Sequence, residues 1–384
     1  MFRKNVLCVA ACLLLIAAQS AMASRYAYIP RSGTNTVAVF DTQTNAVTAN
    51  ITLAAGGDAW TVAVHPAGHR AYVARGNGSS LAVINTVSNT VIANVTGLGT
   101  GVYHAAVTPD GSEVWTTSDS GQVSVISTAT NSVLATITGV VDSNAIAFNP
   151  AGTVAYVTRF DGTPGRVYVI NTATRALTAT ITGVAGAAEG IAVHPNGRYV
   201  YVTGNAASTV SILDTTTNTV TQSASTGTDV KGVAVHPNGR YYYVTQGASN
   251  LHVLRTSDNG LQATINLGAN RTPSGVHLSP TGSFAYVVNR AAANSSVTVI
   301  NTTTNAIVGS QVAVGNAPVA YGAAIQRPLY GHGSMTSGQY HSCRVRGNYS
   351  VDCWGRNDSG QATAPAGSFS QVVAGSAHSC GLRT

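Results

Sequence analysis

The chain has 384 residues, of which only 9% are charged, and glycine, threonine, valine, alanine and asparagine abound; that composition belongs to a folded β protein and excludes disorder as the default. Its formal net charge is +7, and setting aside Arg3 and Lys4 of the leader leaves +5. Lysine and arginine form no run anywhere, so this excess does not by itself indicate nucleic acid.

Residues 1–23 begin with a short basic stretch, continue through an apolar run from Val6 to about Ala18 and end on the small-residue site Ala21-Met22-Ala23. This is the pattern of a secretory signal peptide, too short for a comfortable membrane span. It predicts an exported protein, periplasmic, extracellular or on the cell surface, with no span in the mature chain.

From residue 24 to 327 the chain repeats itself. Six segments align on a Pro-x-Gly, among them AVHPAGHRAYVA, AVTPDGSEVWTT and AVHPNGRYYYVT, with glycines at Gly68, Gly111, Gly152, Gly197, Gly239 and Gly282. Their spacings are 43, 41, 45, 42 and 43 residues. A second pattern follows each, as in STVSILDTTTNTV, and also occurs before the first Pro-x-Gly as NTVAVFDTQTNAV, which makes seven copies.

Such a period holds about four short β-branched runs punctuated by turns, which predicts an all-β, seven-bladed propeller of four-stranded blades. The first copy lacks an innermost strand, and residues 317–326 supply a spare one, so pairing the two termini of the repeat closes the ring. The D-T-x-T-N strings read as hairpins capped by their own side chains.

The recurring YVAR, YVTR, YVTG, YVTQ and YVVN strings, each followed by a V-x-V-I-D/N-T-x-T-N run, resemble YVTN-type propeller repeats of exported and surface-layer proteins. Families similar to these repeats include lactonases, streptogramin lyases and the propeller domains of haem or quinone redox enzymes. The resemblance implies the fold; function must come from the site.

Residues 328–384 break the pattern. Two His-Ser-Cys triplets, at His341 and His378, flank a Cys-Trp-Gly-Arg-Asn string that resembles the regulator-of-chromosome-condensation repeats. Cys343 and Cys353 sit symmetrically about Gly347-Asn348 and are candidates for a hairpin disulfide after export. One and a fraction repeats cannot close a propeller, so this segment reads as incomplete and is expected to be poorly packed.

The chain carries none of the common hydrolase, nucleotide-binding, calcium or zinc motifs, so no catalytic residue, metal or cofactor is assigned. His65, His194 and His236 share one repeat position with Thr108, Asn149 and Ser279, which marks a turn role. The aromatic series Tyr28, Tyr72, Trp115, Tyr156, Tyr201, Tyr243 and Tyr286 is likewise one per blade, which marks packing.

Function is expected where the repeat breaks, around the channel mouth. Arg31, Arg75 and Arg159, with Arg271 and Arg290 nearby, form a candidate basic arc for carboxylate, sulfate or phosphate; the alternative is that neighbouring aspartates pair with them. Trp60, Tyr103 and Tyr321 are candidate stacking residues. His104, Glu189 and Lys231 are the groups that an enzyme would use.

The function expected is a non-catalytic binding module whose ligand is a glycan, a peptide or an acidic polymer. A lactonase- or lyase-like enzyme is the alternative, and binding of single-stranded nucleic acid or another polyanion is a further one.

Overall fold

The structure, a computed structural model, describes residues 26–383 except 161, 163, 206, 228, 248, 292–294, 316, 319–323, 326–334, 338–340, 346–350, 365–368 and 375–378. The signal-peptide expectation therefore lies outside the described residues. Among them, no helix is long and apolar enough to cross a membrane. They cluster into two compact units, one spanning Tyr26–Ile325 and the other containing the residues after it.

The larger unit is a seven-bladed propeller. Five blades are four-stranded antiparallel meanders read from channel to rim in chain order, such as Ala59–Val64, Arg70–Arg75, Ser80–Asn85 and Thr90–Thr96 in blade 2. Blade 1 is assembled from both ends: Ala324–Ile325 pairs with Tyr26–Arg31, which continues into Thr36–Asp41 and Ala46–Thr52. In blade 7 the outermost strand is split into Ala306–Ile307 and Val312–Ala313.

Among the described residues there is no single core. Seven apolar clusters each join two neighbouring blades, and the one formed by Ala27, Ile29 and Phe40 with Tyr286, Val288 and Val299 ties blade 7 to blade 1. Each cluster holds one member of the repeated aromatic series, all of them at most 3% exposed. A large ring supplies much of the apolar area that each interface must remove from water, which explains its recurrence.

The turns explain the repeated polar residues. In the third-to-fourth hairpins the asparagine takes positive φ, as at Asn45 (52°) and Asn218 (53°), while the preceding acid or amide bonds the turn; Asp41 Oδ1, for example, accepts from the N–H groups of Gln43 and Thr44. Asparagine tolerates that conformation better than most side chains.

The histidine turns reach further than their own blade. His236 Nδ1 accepts the Asn238 N–H at 3.1 Å, which fixes the proton on Nε2, and Nε2 donates to the Gly282 carbonyl of the next blade at 3.0 Å. His65 and His194 do the same to Gly111 and Gly239. Each of these carbonyls also accepts a threonine hydroxyl, from Thr128, Thr256 and Thr302.

Glycine is required at the receiving end, since φ there is 71–77° and a Cβ would stand 2.5 Å from the His236 ring at Gly282 and 2.7 Å from the His65 ring at Gly111.

In the smaller unit, Cys343 and Cys353 lie directly opposite each other on His341–Val345 and Val351–Gly355 and are joined by a disulfide, with Cα atoms 4.1 Å apart. Cys343 is buried with Val351 and Val372 in a small cluster, and His341 Nε2 contacts Ser379 Oγ at 2.7 Å, linking the two His-Ser-Cys triplets.

Candidate functional site

The residues that vary between blades stand at a recurrent irregularity. In blades 2–7 the innermost strand slips register against the second strand near its start, between Ala59 and Thr61, Val102 and His104, Ser143 and Ile146, Ala188 and Ile191, Val230 and Val233, and Pro273 and Gly275. Trp60, Tyr103, Asn144, Glu189, Lys231 and Ser274 all fall inside these slips. A bulge re-aims the side chain it carries, and here it does so at the channel mouth.

The backbone groups freed by the bulge are bonded by the threonine of the YVT string. Thr158 Oγ1 accepts the Ala145 N–H at 2.9 Å and donates to the Glu189 carbonyl of the next blade at 3.2 Å. Thr203 does the same with Gly190 and the Lys231 carbonyl. The irregularity is thus repaired within the repeat, and only the side chain at its tip differs.

Blades 2, 3 and 4 bring these tips together around a pocket of about 330 Å³ lined by Trp60, Tyr103, Asp119, Asp142, Ser143, Asn144 and Phe160. That volume is at the lower end of the usual range for small-molecule sites, roughly 300–1,000 Å³. Trp60 and Tyr103 meet edge to face with centroids 5.4 Å apart, and Phe160 is 42% exposed. Burial and the neighbouring Asp119 carboxylate, to which it hydrogen-bonds, push the Tyr103 phenol up to about 12, so it stays protonated.

The three arginines of the expected basic arc are engaged within the fold. Arg75 is 1% exposed and donates to the Gly57 and Ala54 carbonyls at 2.6–2.9 Å, holding the loop that enters blade 2. Arg31 donates to the Val314 carbonyl and Asn50 Oδ1, across the closure between blades 7 and 1. Arg159 pairs with Asp142 at 3.1 Å.

Of the two arginines in nearby loops, Arg271 is half-buried beside Gly268, and its backbone N–H donates to Ser249 Oγ. Arg290 is exposed and reaches Trp60 from blade 7, its guanidinium carbon 5.9 Å from the ring centroid. Loop carbonyls and carboxylates compete for guanidinium groups wherever the chain turns sharply, and they hold Arg31, Arg75 and Arg159, whereas Arg290 lies on an aromatic ring.

The three groups of the enzyme alternative come from different blades and differ in exposure. Lys231 lies 3.6 Å from Asp229 at the mouth, and Glu189 is buried at 3% exposure in the bulge of blade 5. His104 lines the channel below, in a cavity of about 80 Å³ shared with Ala145, Gly190, Gly232, Gly275 and His277. Burial holds His104 down to about 4, with the nearby His277 adding to the effect, and burial alone does the same to His277. Both imidazoles are therefore neutral at physiological pH.

Tyr321 lies outside the described residues. Among those described, no cluster of three or more His, Cys, Asp or Glu is placed to hold a metal ion. Sequence reasoning missed Phe160 and His277. His277 had a signal, since the same repeat position is Ala63, Ala106, Ala147, Ala192 and Ala234 in the other copies. Phe160 had one too, since the residue directly after the YVTN string is Ser32, Gly76, Asp119, Asn205, Gly247 and Arg290 in the other copies, none of them aromatic.

Fold and site together define a closed seven-bladed propeller with a ligand-sized pocket at one side of its channel mouth. A model of the family "Lactonase, 7-bladed beta-propeller" matches residues 23–319, and the chain belongs to that family. No curated protein matches it.

Among solved structures it is similar to the Kuenenia stuttgartiensis hydrazine synthase, with TM-score 0.65 and 20% identity over 72% of this chain and 92% of that one. It is also similar to a functionally unknown protein from Desulfotomaculum acetoxidans DSM 771, with TM-score 0.66 and 19% identity over 79% and 99% of the two chains. At such identity the likeness concerns the fold alone.

Proposed function

We propose that the chain is an exported, non-catalytic binding module that takes a saccharide in the pocket between blades 2 and 4. The observation that carries this reading is the convergence of three repeat-breaking bulge residues, Trp60, Tyr103 and Asn144, on one pocket with an aromatic wall and polar groups. Exposed aromatic faces stack on the C–H faces of sugar rings, while carboxylates and amides pair with ring hydroxyls.

The signal-peptide pattern and the Cys343–Cys353 disulfide support an oxidising, exported setting. The YVTN-type assignment of the blades and the regulator-of-chromosome-condensation-like assignment of residues 328–384 belong to the same reading.

Glycan-array binding by the full chain tests it. Trp60→Ala should lower affinity for any captured glycan at least about tenfold, as loss of a buried aromatic anchor typically does, while leaving the unfolding midpoint in place. Unchanged capture would remove the pocket from consideration.

Family membership favours a second reading, hydrolysis of a lactone within the channel, with Glu189 and His104 as the groups to substitute. Lactone turnover that disappears in Glu189→Gln would install it in place of the first.

A further inference from the structure

Resting on the saccharide-pocket reading above, we propose that the pocket between blades 2 and 4 selects an amine-bearing, cationic saccharide, a hexosamine with a free ammonium group, over neutral and acidic sugars. Two carboxylates line the pocket, Asp119 and Asp142. Asp142 is matched by Arg159 at 3.1 Å. Asp119 is exposed and, among the described residues, forms no ion pair; Tyr103 donates its phenolic hydrogen to it, which leaves further lone pairs for an incoming donor.

Among its own lining residues the pocket therefore holds one carboxylate without an ion-pair partner beside three aromatic rings, with the Arg290 guanidinium the cation that stands nearest, over Trp60. A primary ammonium brings three donors and a positive charge to that combination, and both carboxylate and ring quadrupole attract it. Neutral sugars gain only the stacking and hydroxyl terms. Acidic sugars meet repulsion from Asp119, and of the nearby cations Arg31 and Arg75 are turned to loop carbonyls and Lys231 pairs with Asp229 in blade 6, which leaves Arg290 to attract them.

The aromatic wall already shows this preference within the molecule. Arg290 crosses from blade 7 to place its guanidinium over the Trp60 ring in blade 2. It acts as an internal cation on the surface where the ligand would stack, and it must yield to an incoming ammonium group. Asp119 is the residue that sets the charge preference, and Arg290 the one that opposes it.

Calorimetric titration of the full chain at low salt should compare a glucosamine trimer, its N-acetylated counterpart and a galacturonate trimer. The expected order is glucosamine, then N-acetylglucosamine about tenfold weaker, then galacturonate, with the first gap closing as salt screens the charge. Asp119→Asn, nearly isosteric, should bring glucosamine affinity down to that of the N-acetylated trimer. Arg290→Ala should raise glucosamine affinity about two- to threefold, an increase that misfolding cannot imitate.

Equal affinity for the two glucosamine forms would overturn charge selection and leave the saccharide pocket standing. Tightest binding of galacturonate would overturn it as well. Binding of none of the three would remove the charge selection and the saccharide reading together.

Discussion

The two faces of the propeller use the same residue types to opposite ends. On the turn face, His65, His194 and His236 have both ring nitrogens bonded to backbone, one within the blade and one across to the next. In the channel, reached from the other face, His104 and His277 share a small cavity with glycine and alanine neighbours. At the channel mouth itself arginine also divides, since Arg75 is sunk among loop carbonyls while Arg290 lies exposed on an indole. A repeated polar residue holds blades together, and the solitary one is left to face a cavity.

That contrast can be tested from its strongest element downward. Arg75→Met keeps the volume of the buried side chain but strips hydrogen-bond donors from the Ala54 and Gly57 carbonyls. It should cost about 3 kcal/mol in denaturant unfolding, because buried charge-assisted bonds contribute roughly 1.5–3 kcal/mol and the acceptors are left unpaired. A loss under about 0.5 kcal/mol would return Arg75 to the list of residues free to bind a ligand.

The channel histidines come next. Burial depresses their folded-state proton affinity to about 4, from about 6.5 for an ordinary imidazole, so the unfolded chain binds protons more readily between those values. Stability should therefore be full above pH 6.5 and fall as pH drops towards 4, by on the order of 2 kcal/mol for each histidine. His104→Asn with His277→Asn should flatten unfolding free energy over pH 6.5–4.5; a slope as steep as in the parent would place the titration elsewhere.

The smallest effect belongs to one turn. His236→Ala removes bonds to the Asn238 N–H and the Gly282 carbonyl and should cost about 1 kcal/mol, with glycan binding unaltered. Altered binding with unaltered stability would reverse the roles assigned to the two faces.

The stretch GVAVHPNGRYYYVTQG shows how far the repeat could be read. Its period, its Pro-x-Gly turn and the packing place of Tyr243 were legible because each recurs in aligned copies. The bond from His236 to Gly282 was not, since the partner is 46 residues away and belongs to the next blade. Where the donors of the expected basic arc go was hidden for a related reason. Counting arginines at one repeat position says where they emerge, whereas backbone carbonyls such as that of Val314, 283 residues from Arg31, decide where their donors end.

By itself, the sequence determined the number of blades, the four-strand meander, the turn chemistry and the closure by a C-terminal strand, because local hydrogen bonding and alternation repeat with a fixed period. Only the tertiary structure decided which variable residues meet. The bulges of blades 2, 3 and 4 bring Trp60, Tyr103 and Asn144 to one pocket although more than 40 residues separate each from the next. Ring closure sets that distance in space, and no local pattern encodes it.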